Sequence, residues 1–324
     1  METIKHPDFV IYFEGKDITK DIKPYIIEII YTDNVSEADS LEIILDNTTK
    51  EFTTNSFPTT NLEIKLYIKH LDTEEYIYCG SFRRDNFERM LYLVSIKATS
   101  IIRSSDIKKT KKNRTFKNTS LSHIISQIAN ENSLQPIIKI EKDIPIQDIL
   151  QQNETDSQFI EKLARKYGYY QKITPEKLFF IHQNSFKEEP PIAKIKETNL
   201  IDCNLTDNSS ITYKKAVVFY HDPIKNKDFK YEYIDKSVKT GETLKINQKV
   251  ESLEEAKELA KATLKDKNKQ QSGSITVEGN PFLVTGSTIE LDTGDVFSGT
   301  YLIESSEHRI NQQGYTTTLK IRKI

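Results

Sequence analysis

Residues 155–168, Thr-Asp-Ser-Gln-Phe-Ile-Glu-Lys-Leu-Ala-Arg-Lys-Tyr-Gly, decide the fold of the middle of the chain. Thr155 and Gln158 have the spacing of a capping box, in which each side chain accepts a hydrogen bond from the backbone N–H of the other residue. Apolar residues then recur at helical spacing, and Arg165 lies where a cation complements the negative end of the helix dipole. Gly168 can adopt the left-handed conformation that ends many helices. The stretch therefore predicts an amphipathic helix with one face in a core.

The sequence around this helix predicts a small α/β unit. Apolar residues at helical spacing predict an earlier helix over residues 120–130. Residues 178–181, Leu-Phe-Phe-Ile, form a short apolar run typical of a strand. Two helices and a strand within this short length favour a compact insert.

Both ends of the chain alternate apolar and polar residues, the pattern of strands with one buried face. The clearest case is residues 62–69, Leu-Glu-Ile-Lys-Leu-Tyr-Ile-Lys. Similar runs follow residue 216, interrupted by a helix that begins with a capping box at Ser252 and Glu255. Because the two ends share this pattern, we expect two related antiparallel β-barrels around a helical insert. The predicted fold class is α+β, mainly β, with a first barrel at 1–104, an α/β insert at 105–190, and a second barrel at 191–324 that includes one helix at 251–268.

Residues 108–117, Lys-Lys-Thr-Lys-Lys-Asn-Arg-Thr-Phe-Lys, are densely basic and lack an apolar pattern. One interpretation is a domain boundary or an exposed loop whose charges are solvated. The other is a stripe that contacts phosphates, because lysine and arginine release counterions from nucleic acid. The run is not interleaved with stacking aromatic residues as single-strand binding requires, which favours the loop.

Composition narrows the possible functions. The 324 residues include 46 Lys and Arg against 48 Asp and Glu, a formal net charge of -2, so no overall field draws the chain to nucleic acid or anionic lipid. Cys79 and Cys203 lack the spacing of a metal site or a disulfide framework, which fits a reducing compartment. The N-terminus lacks a signal-peptide pattern, and no run reaches the ~20 apolar residues of a membrane span. We therefore expect synthesis in the cytoplasm.

No pattern for catalysis, cofactor binding or metal binding stands out. Gly294–Thr300 resembles a phosphate-binding loop but lacks its lysine, so we expect a turn. The acid pairs Glu74-Glu75 and Glu254-Glu255 could supply carboxylates for glycoside hydrolysis, but adjacent carboxylates in a strand or helix diverge. We predict a non-enzymatic chain without catalytic, cofactor or metal residues. Surface or packing roles are predicted for the scattered histidines, which are His6, His70, His123, His182, His221 and His308.

Four stretches, in matching order, resemble the phage late control D family. They are residues 114–125, residues 152–169 with the strand after them, residues 273–281, and the glycine-punctuated run 286–317. That family is itself similar to the N-terminal part of type VI secretion spike proteins. Within the second stretch we interpret the family-motif residues as scaffold rather than site, namely Thr155, Asp156, Phe159, Leu163, Arg165 and Gly168.

The resemblance implies the central hub of a contractile phage-type tail baseplate. In such a hub, a homotrimer contributes two tube-type barrel domains per subunit, so six barrels join a three-fold spike below to a six-fold tail tube or tube-initiator protein above. Baseplate wedge and tape-measure proteins are further implied neighbours. Type VI spikes continue into a needle, whereas this sequence stops at Ile324, so we expect the needle to be a separate protein.

Two alternatives stay open beside the hub. A tail-associated peptidoglycan hydrolase would need an acid pair in a cleft. A carbohydrate-binding or receptor-binding tail module could stack sugars on some of the 16 tyrosines, although most of these alternate within predicted strands.

Overall fold

The structure is a computed structural model that describes most of the chain. His6, Glu74 and the expected domain boundary after residue 104 lie outside the described residues. The described residues are 8–35, 38–54, 61–70, 73, 75–101, 106–207, 212–222, 227–250, 252–268 and 271–324.

Strands dominate the described residues, so the prediction of an α+β, mainly β fold is confirmed. In chain order, the strands are β1 (Phe9–Phe13), β2 (Lys16–Asp17), β3 (Ile26–Asn34), β4 (Ser40–Asp46), β5 (Glu63–Lys69), β6 (Tyr76–Arg89), β7 (Leu93–Ser100), β8 (Lys111–Ser120), β9 (Gln135–Lys139), β10 (Pro145–Thr155), β11 (Tyr169–Ile173), β12 (Lys177–His182), β13 (Ala193–Lys196), β14 (Leu200–Asp207), β15 (Tyr213–Asp222), β16 (Lys227–Ile234), β17 (Glu242–Ile246), β18 (Gln271–Glu278), β19 (Thr288–Asp292), β20 (Gly299–Asn311) and β21 (Gly314–Lys323).

The helices are fewer and mostly short. Within the described ranges, none is long and apolar enough to cross a membrane. The α-helices are α1 (Thr19–Ile22), α2 (Glu51–Thr54), α3 (Asp106–Lys109), α4 (Leu121–Glu131), α5 (Asp156–Tyr167) and α6 (Leu253–Lys267), and short 3-10 turns lie at Lys23–Tyr25, Gln183–Lys187 and Glu197–Asn199.

The chain divides into two compact units, each assembled from separate segments. Unit 1 joins Met1–Ile101, Pro190–Leu205 and Ser272–Ile324. Unit 2 joins Ile102–Glu189 and Thr206–Gln271. Both ends of the sequence therefore belong to one unit.

Unit 1 is built on one large sheet. Its hydrogen-bonded path runs β14-β18-β21-β20-β3-β4-β7-β6-β5-β1-β2, while β19 pairs with β20 and, in parallel, with β13. Strands β3 and β20 join the two ends of the chain, with Tyr31 opposite His308. No pairing links β14 back to β2 among the described residues, so the path is open there.

Two hydrophobic cores lie within unit 1. The predicted alternation of residues 62–69 holds, since Ile64, Leu66 and Ile68 are buried while the intervening side chains are not. These residues belong to a core formed mainly by β1 and β3 to β7. A separate core contains Ile289, Tyr301 and other residues of β18 to β21. One sheet thus carries two packed modules.

The described residues of unit 2 form three small sheets and the longer helices. Its sheets are the β8–β10 ribbon, the β9-β12-β11 sheet and the β16-β15-β17 sheet. Helices α4 and α5 pack with the first two sheets around one core, and α6 covers β15 and β16 around another.

The compact units and the predicted domains divide the chain differently. Residues 206–271, which the sequence groups with the last strands, lie in unit 2. The physical reason is that the apolar face of α6, with Leu259 and Leu264, packs on β15 rather than on the closing strands. The division into two barrel domains and an insert stays a prediction.

The basic run does not form a loop. Its residues occupy α3 and β8, and β8 pairs along its length with β10. Alternation explains the difference, because Phe116 is buried and Lys112 and Arg114 are partly buried, while Lys111 and Lys117 are exposed. Every second residue of this stretch is at least partly buried, as in an ordinary strand, but two of these residues are charged and so do not give an apolar alternation.

Candidate functional site at the motif helix

Helix α5 begins and ends as its sequence predicts. The Thr155 hydroxyl accepts a hydrogen bond from the Gln158 N–H at 3.2 Å, and the Gln158 side chain accepts one from the Thr155 N–H at 3.0 Å. Gly168 follows in the left-handed conformation, with φ of 75°. These local interactions fix the length of the helix.

Gly168 also lies close to the neighbouring helix. A Cβ at this position would lie 3.0 Å from the Cβ of Ala262 in α6. The residue therefore serves both the backbone turn and the packing of α5 on α6.

Gly168→Ala is expected to lower the free energy of unfolding by about 1–2 kcal/mol, because alanine is strained at positive φ and would crowd Ala262. Urea denaturation measures the loss. Gly294→Ala is the matched control, since Gly294 has φ of 71° and an added Cβ there would have no heavy atom within 4 Å. Equal losses in the two variants would show that the contact with Ala262 is unimportant.

The other motif residues divide into core and surface. Phe159 and Leu163 are fully buried, and the Phe159 ring stacks on Phe116 of β8. Arg165 is exposed and pairs with Glu161 one turn earlier, where such a pair contributes little to stability.

Asp156 has a more specific environment than a helix-capping residue needs. Its side chain is fully buried, and one carboxylate oxygen accepts hydrogen bonds from Lys112 at 2.7 Å and Asn132 at 3.0 Å. The other oxygen accepts from Arg114 at 2.8 Å and Gln151 at 2.9 Å. The carboxylate thus binds α5 to α4 and to both strands of the β8–β10 ribbon.

In this cluster the charges of Lys112 and Arg114 are matched by those of Asp156 and Glu131. Burial by itself raises the pKa of Asp156, but hydrogen bonds from Lys112, Gln151 and Asn132, together with the charge of Arg114, lower it overall. Glu131 accepts from Arg114 at the rim of the cluster, and the pKa of Glu131 is also lowered despite its partial burial. Asp156 is therefore a charged structural centre.

Sequence reasoning missed these partners of Asp156. Lys112 and Arg114 lie about forty residues earlier, in the run predicted to be a loop. A period of two through Lys112, Arg114 and Phe116 would have placed all three on one face of a strand. Nothing in the sequence alone links that face to Asp156.

A second buried acid joins α5 to α6. Glu255 accepts hydrogen bonds from the Lys166 ammonium at 2.6 Å and the Tyr167 hydroxyl at 2.9 Å. Its neighbour Glu254 is exposed, so the two carboxylates diverge as expected for adjacent helical residues. The described residues contain no group of three or more His, Cys, Asp or Glu that could hold a metal ion.

His308 forms a polar cluster inside unit 1. It lies in the middle of β20, is 1% exposed, and stacks on Tyr31 with ring centroids 5.4 Å apart. Its ring nitrogens lie 3.0 Å from the Ser306 hydroxyl and 2.8 Å from the Tyr315 hydroxyl. The packing interpretation of this histidine fits its position.

The hydrogen bonds assign the tautomer of His308. The Ser306 hydroxyl donates to the Leu283 carbonyl at 2.5 Å, so its oxygen accepts from the His308 Nε2–H. Nδ1 is then the acceptor for the Tyr315 O–H. Burial lowers the pKa of His308 to about 4, and the nearby charge of Asp33 only partly opposes this shift. The ring is neutral in the folded protein.

The family follows from a match over most of the chain. The family model described as YQBQ-like matches residues 107–322. This range includes the motif helix and the strands β8 and β20, which carry the two buried polar clusters. The chain belongs to the YQBQ-like family.

The individual relatives are tail proteins. The probable baseplate hub protein of Escherichia phage 186 is 27% identical over 186 residues, which are 55% of this chain and 46% of the relative. The chain thus spans about half the length of the curated relatives it matches. The resemblance to baseplate hub proteins is confirmed.

Solved structures share the fold over nearly the whole chain. A tail protein from Neisseria meningitidis has a TM-score of 0.73 at 11% identity, covering 98% of this chain and 97% of its own. The 43 kDa tail protein of prophage MuSo2 from Shewanella oneidensis has a TM-score of 0.71 at 14% identity, covering 97% and 98%.

Proposed function

We propose that this chain is a non-enzymatic structural subunit, the central hub of a contractile phage-type tail baseplate. The observation that carries the proposal is the match to a baseplate hub relative together with a sheet that holds two separate cores. In the proposed hub, a homotrimer uses these paired modules to join a three-fold spike to a six-fold tail tube.

The proposed neighbours follow from that position. A spike or needle protein binds below the ring, and a tail tube or tube-initiator protein binds above it. Baseplate wedge and tape-measure proteins are further proposed neighbours. The subunit is made in the bacterial cytoplasm and is incorporated in the tail particle.

Strand β14 supports self-association. It pairs with β18 on one side and has no strand partner on the other among the described residues. The strand has eight residues, contains no lysine or proline, and exposes 62% of Ile201. Proteins usually protect such edges with lysine, proline or a cover, and β14 carries only the acids Asp202 and Asp207, so its edge can pair with a chain of complementary charge.

Near the other end of the sheet path, the part of β1 that does not pair with β2 is covered at Ile11. The Ile11 N–H in β1 donates to the Thr19 hydroxyl at 2.9 Å, and the Ile11 carbonyl accepts from the Ile18 N–H at 3.1 Å. This contrast makes β14 the edge at which we place a neighbouring subunit.

Ile201→Lys is expected to weaken self-association by about tenfold, because a lysine on the edge must be desolvated when a second strand docks. Sedimentation velocity over a concentration series measures the change. Leu91→Lys is the control, since Leu91 is 77% exposed in the same unit but lies in the turn between β6 and β7. Equal effects of the two substitutions would remove β14 from the interface.

The reactivity of the Cys203 thiol on β14 tests the same edge in the unaltered chain. It is exposed on β14, whereas burial raises the pKa of Cys79 to about 12 and suppresses its thiolate. We expect maleimide labelling of Cys203 to slow at concentrations where the chain associates, with Cys79 unlabelled throughout. Unchanged labelling of Cys203 in an associated sample would contradict this interface.

The acid pair Glu254-Glu255 does not support the hydrolase alternative. Glu255, the buried member of its acid pair, is engaged by Lys166 and Tyr167 rather than open to a substrate. Clearing of peptidoglycan by the purified chain, or retention on a glycan array, would favour one of these alternatives over the hub.

A further inference from the structure

The small net charge of the chain conceals a strong separation of charge. Unit 1 holds 17 Lys and Arg against 26 Asp and Glu, a formal charge of -9. Unit 2 holds 29 Lys and Arg against 22 Asp and Glu, a formal charge of +7. The net charge of the whole chain predicts no electrostatic field, but each unit taken by itself carries a net charge and therefore has a field.

The positive charge of unit 2 is concentrated in one segment. Residues 103–117 contain seven Lys and Arg and one acid, so this stretch alone carries +6. Lys112 and Arg114 are neutralised by Asp156 and Glu131. Lys109 and Lys111 are exposed at the end of α3 and the start of β8. We name the two exposed lysines Lys109 and Lys111 the basic face.

The negative charge of unit 1 reaches the open edge of its sheet. Glu197, Asp202 and Asp295 are exposed, and all three carboxylates raise the pKa of the Cys203 thiol, after a larger effect of burial. Asp202 lies on β14 beside Cys203, and Glu197 lies in the short turn that leads into β14. We name this group the acidic edge.

We propose that the acidic edge of one subunit docks the basic face of a second copy of this chain. The proposal rests on the proposed function, since it names the surface that meets β14 in the ring. A contact between two different surfaces is heterologous, and repeating it by a rotation of one third of a turn closes a ring of three. A ring that brought three units of charge -9 together would repel itself, and a basic face from each neighbour offsets that repulsion.

The second copy is the occupant that the charges favour. Its basic face is opposite in sign to the acidic edge, and every subunit of a homotrimer carries both surfaces. Strand β8 pairs only with β10 among the described residues, so it also offers a free edge beside Lys111. Nucleic acid is the competing partner for the basic face, and the experiment separates the two.

The test is charge reversal with rescue in the full chain. Lys111→Glu and Asp202→Lys are each expected to weaken self-association about fivefold at about 50 mM salt, and the double variant should recover most of the loss. Raising the salt to about 500 mM should weaken the unaltered chain and reduce these differences. Sedimentation velocity gives the dissociation constants.

Matched controls separate position from net charge. Lys177→Glu reverses an exposed lysine in unit 2 outside the basic face, and Asp85→Lys reverses an exposed acid on β6. Both should leave association nearly unchanged. Equal losses for Lys111→Glu and Lys177→Glu, or no rescue in the double variant, would overturn the proposal.

The remaining outcomes are also decisive. If Lys111→Glu removes binding of a single-stranded DNA probe but leaves self-association intact, the basic face binds phosphates and the proposal fails. If the chain associates but ignores salt and both reversals, this inference fails while the hub survives. A chain that stays monomeric throughout contradicts the hub itself and this inference with it.

Discussion

Asp156→Ala is expected to lower the free energy of unfolding of unit 2 by about 3 kcal/mol. The substitution removes a fully buried carboxylate that accepts hydrogen bonds from Lys112, Arg114, Asn132 and Gln151. Two cations would lose their main counter-charge, and two amides would lose an acceptor. We place the loss at the lower end of the range for buried ion pairs because Lys112 and Arg114 keep 29% and 22% of their side-chain surface exposed and can be hydrated.

Hydrogen exchange resolved to peptides of α5 and β8 measures this loss within unit 2. Asp156→Asn should fall between the alanine variant and the unaltered chain, because it keeps the shape but loses the charge. Arg165→Ala is the control, since its exposed pair with Glu161 contributes less than about 0.5 kcal/mol. A loss below about 1 kcal/mol for Asp156→Ala would mean that the cluster does not hold the unit together.

Unit 1 is expected to lose about 3 kcal/mol of stability as the pH falls from about 6.5 to about 4. His308 has a pKa of about 4 when folded, against its ordinary 6.5, so the unfolded chain binds a proton in this range and the folded chain does not. The stability that the neutral His308 ring contributes is fully present above pH 6.5 and is lost as the pH falls toward 4. Protonation at Nδ1 would also remove the acceptor of the Tyr315 hydroxyl.

Urea denaturation at several pH values, followed by exchange in β20 and β21, measures this dependence. His308→Gln should flatten the curve between pH 6.5 and 4. The separate effect of His182, whose pKa is also lowered by burial, falls in unit 2 and is resolved by exchange in peptides of β12. An unchanged slope in His308→Gln would show that His308 is not the group responsible.

Local features of the fold could be predicted from the sequence, because their causes are local. The caps and apolar face of α5 depend on residues within one helix, and the alternation of β5 within one strand. The pairing of β3 with β20 joins residues about 270 positions apart, which no local pattern specifies. The return of residues 206–271 to unit 2 depends likewise on where the apolar face of α6 packs.

The candidate site was only partly predictable for a related reason. Thr155 and Gly168 could be placed from spacing alone, since each acts on its own helix. The role of Asp156 depends on Arg114 and Lys112, and their charges made a partly buried strand resemble a solvated loop. The separation of charge between the units became visible only after the structure assigned each segment to a unit.

The mass of the purified full chain in solution, measured by light scattering across micromolar concentrations, tests the proposed hub most directly. We predict a species of three times the chain mass of 37.5 kDa. A chain that stays at 37.5 kDa at every concentration, or that forms only dimers, would contradict the hub.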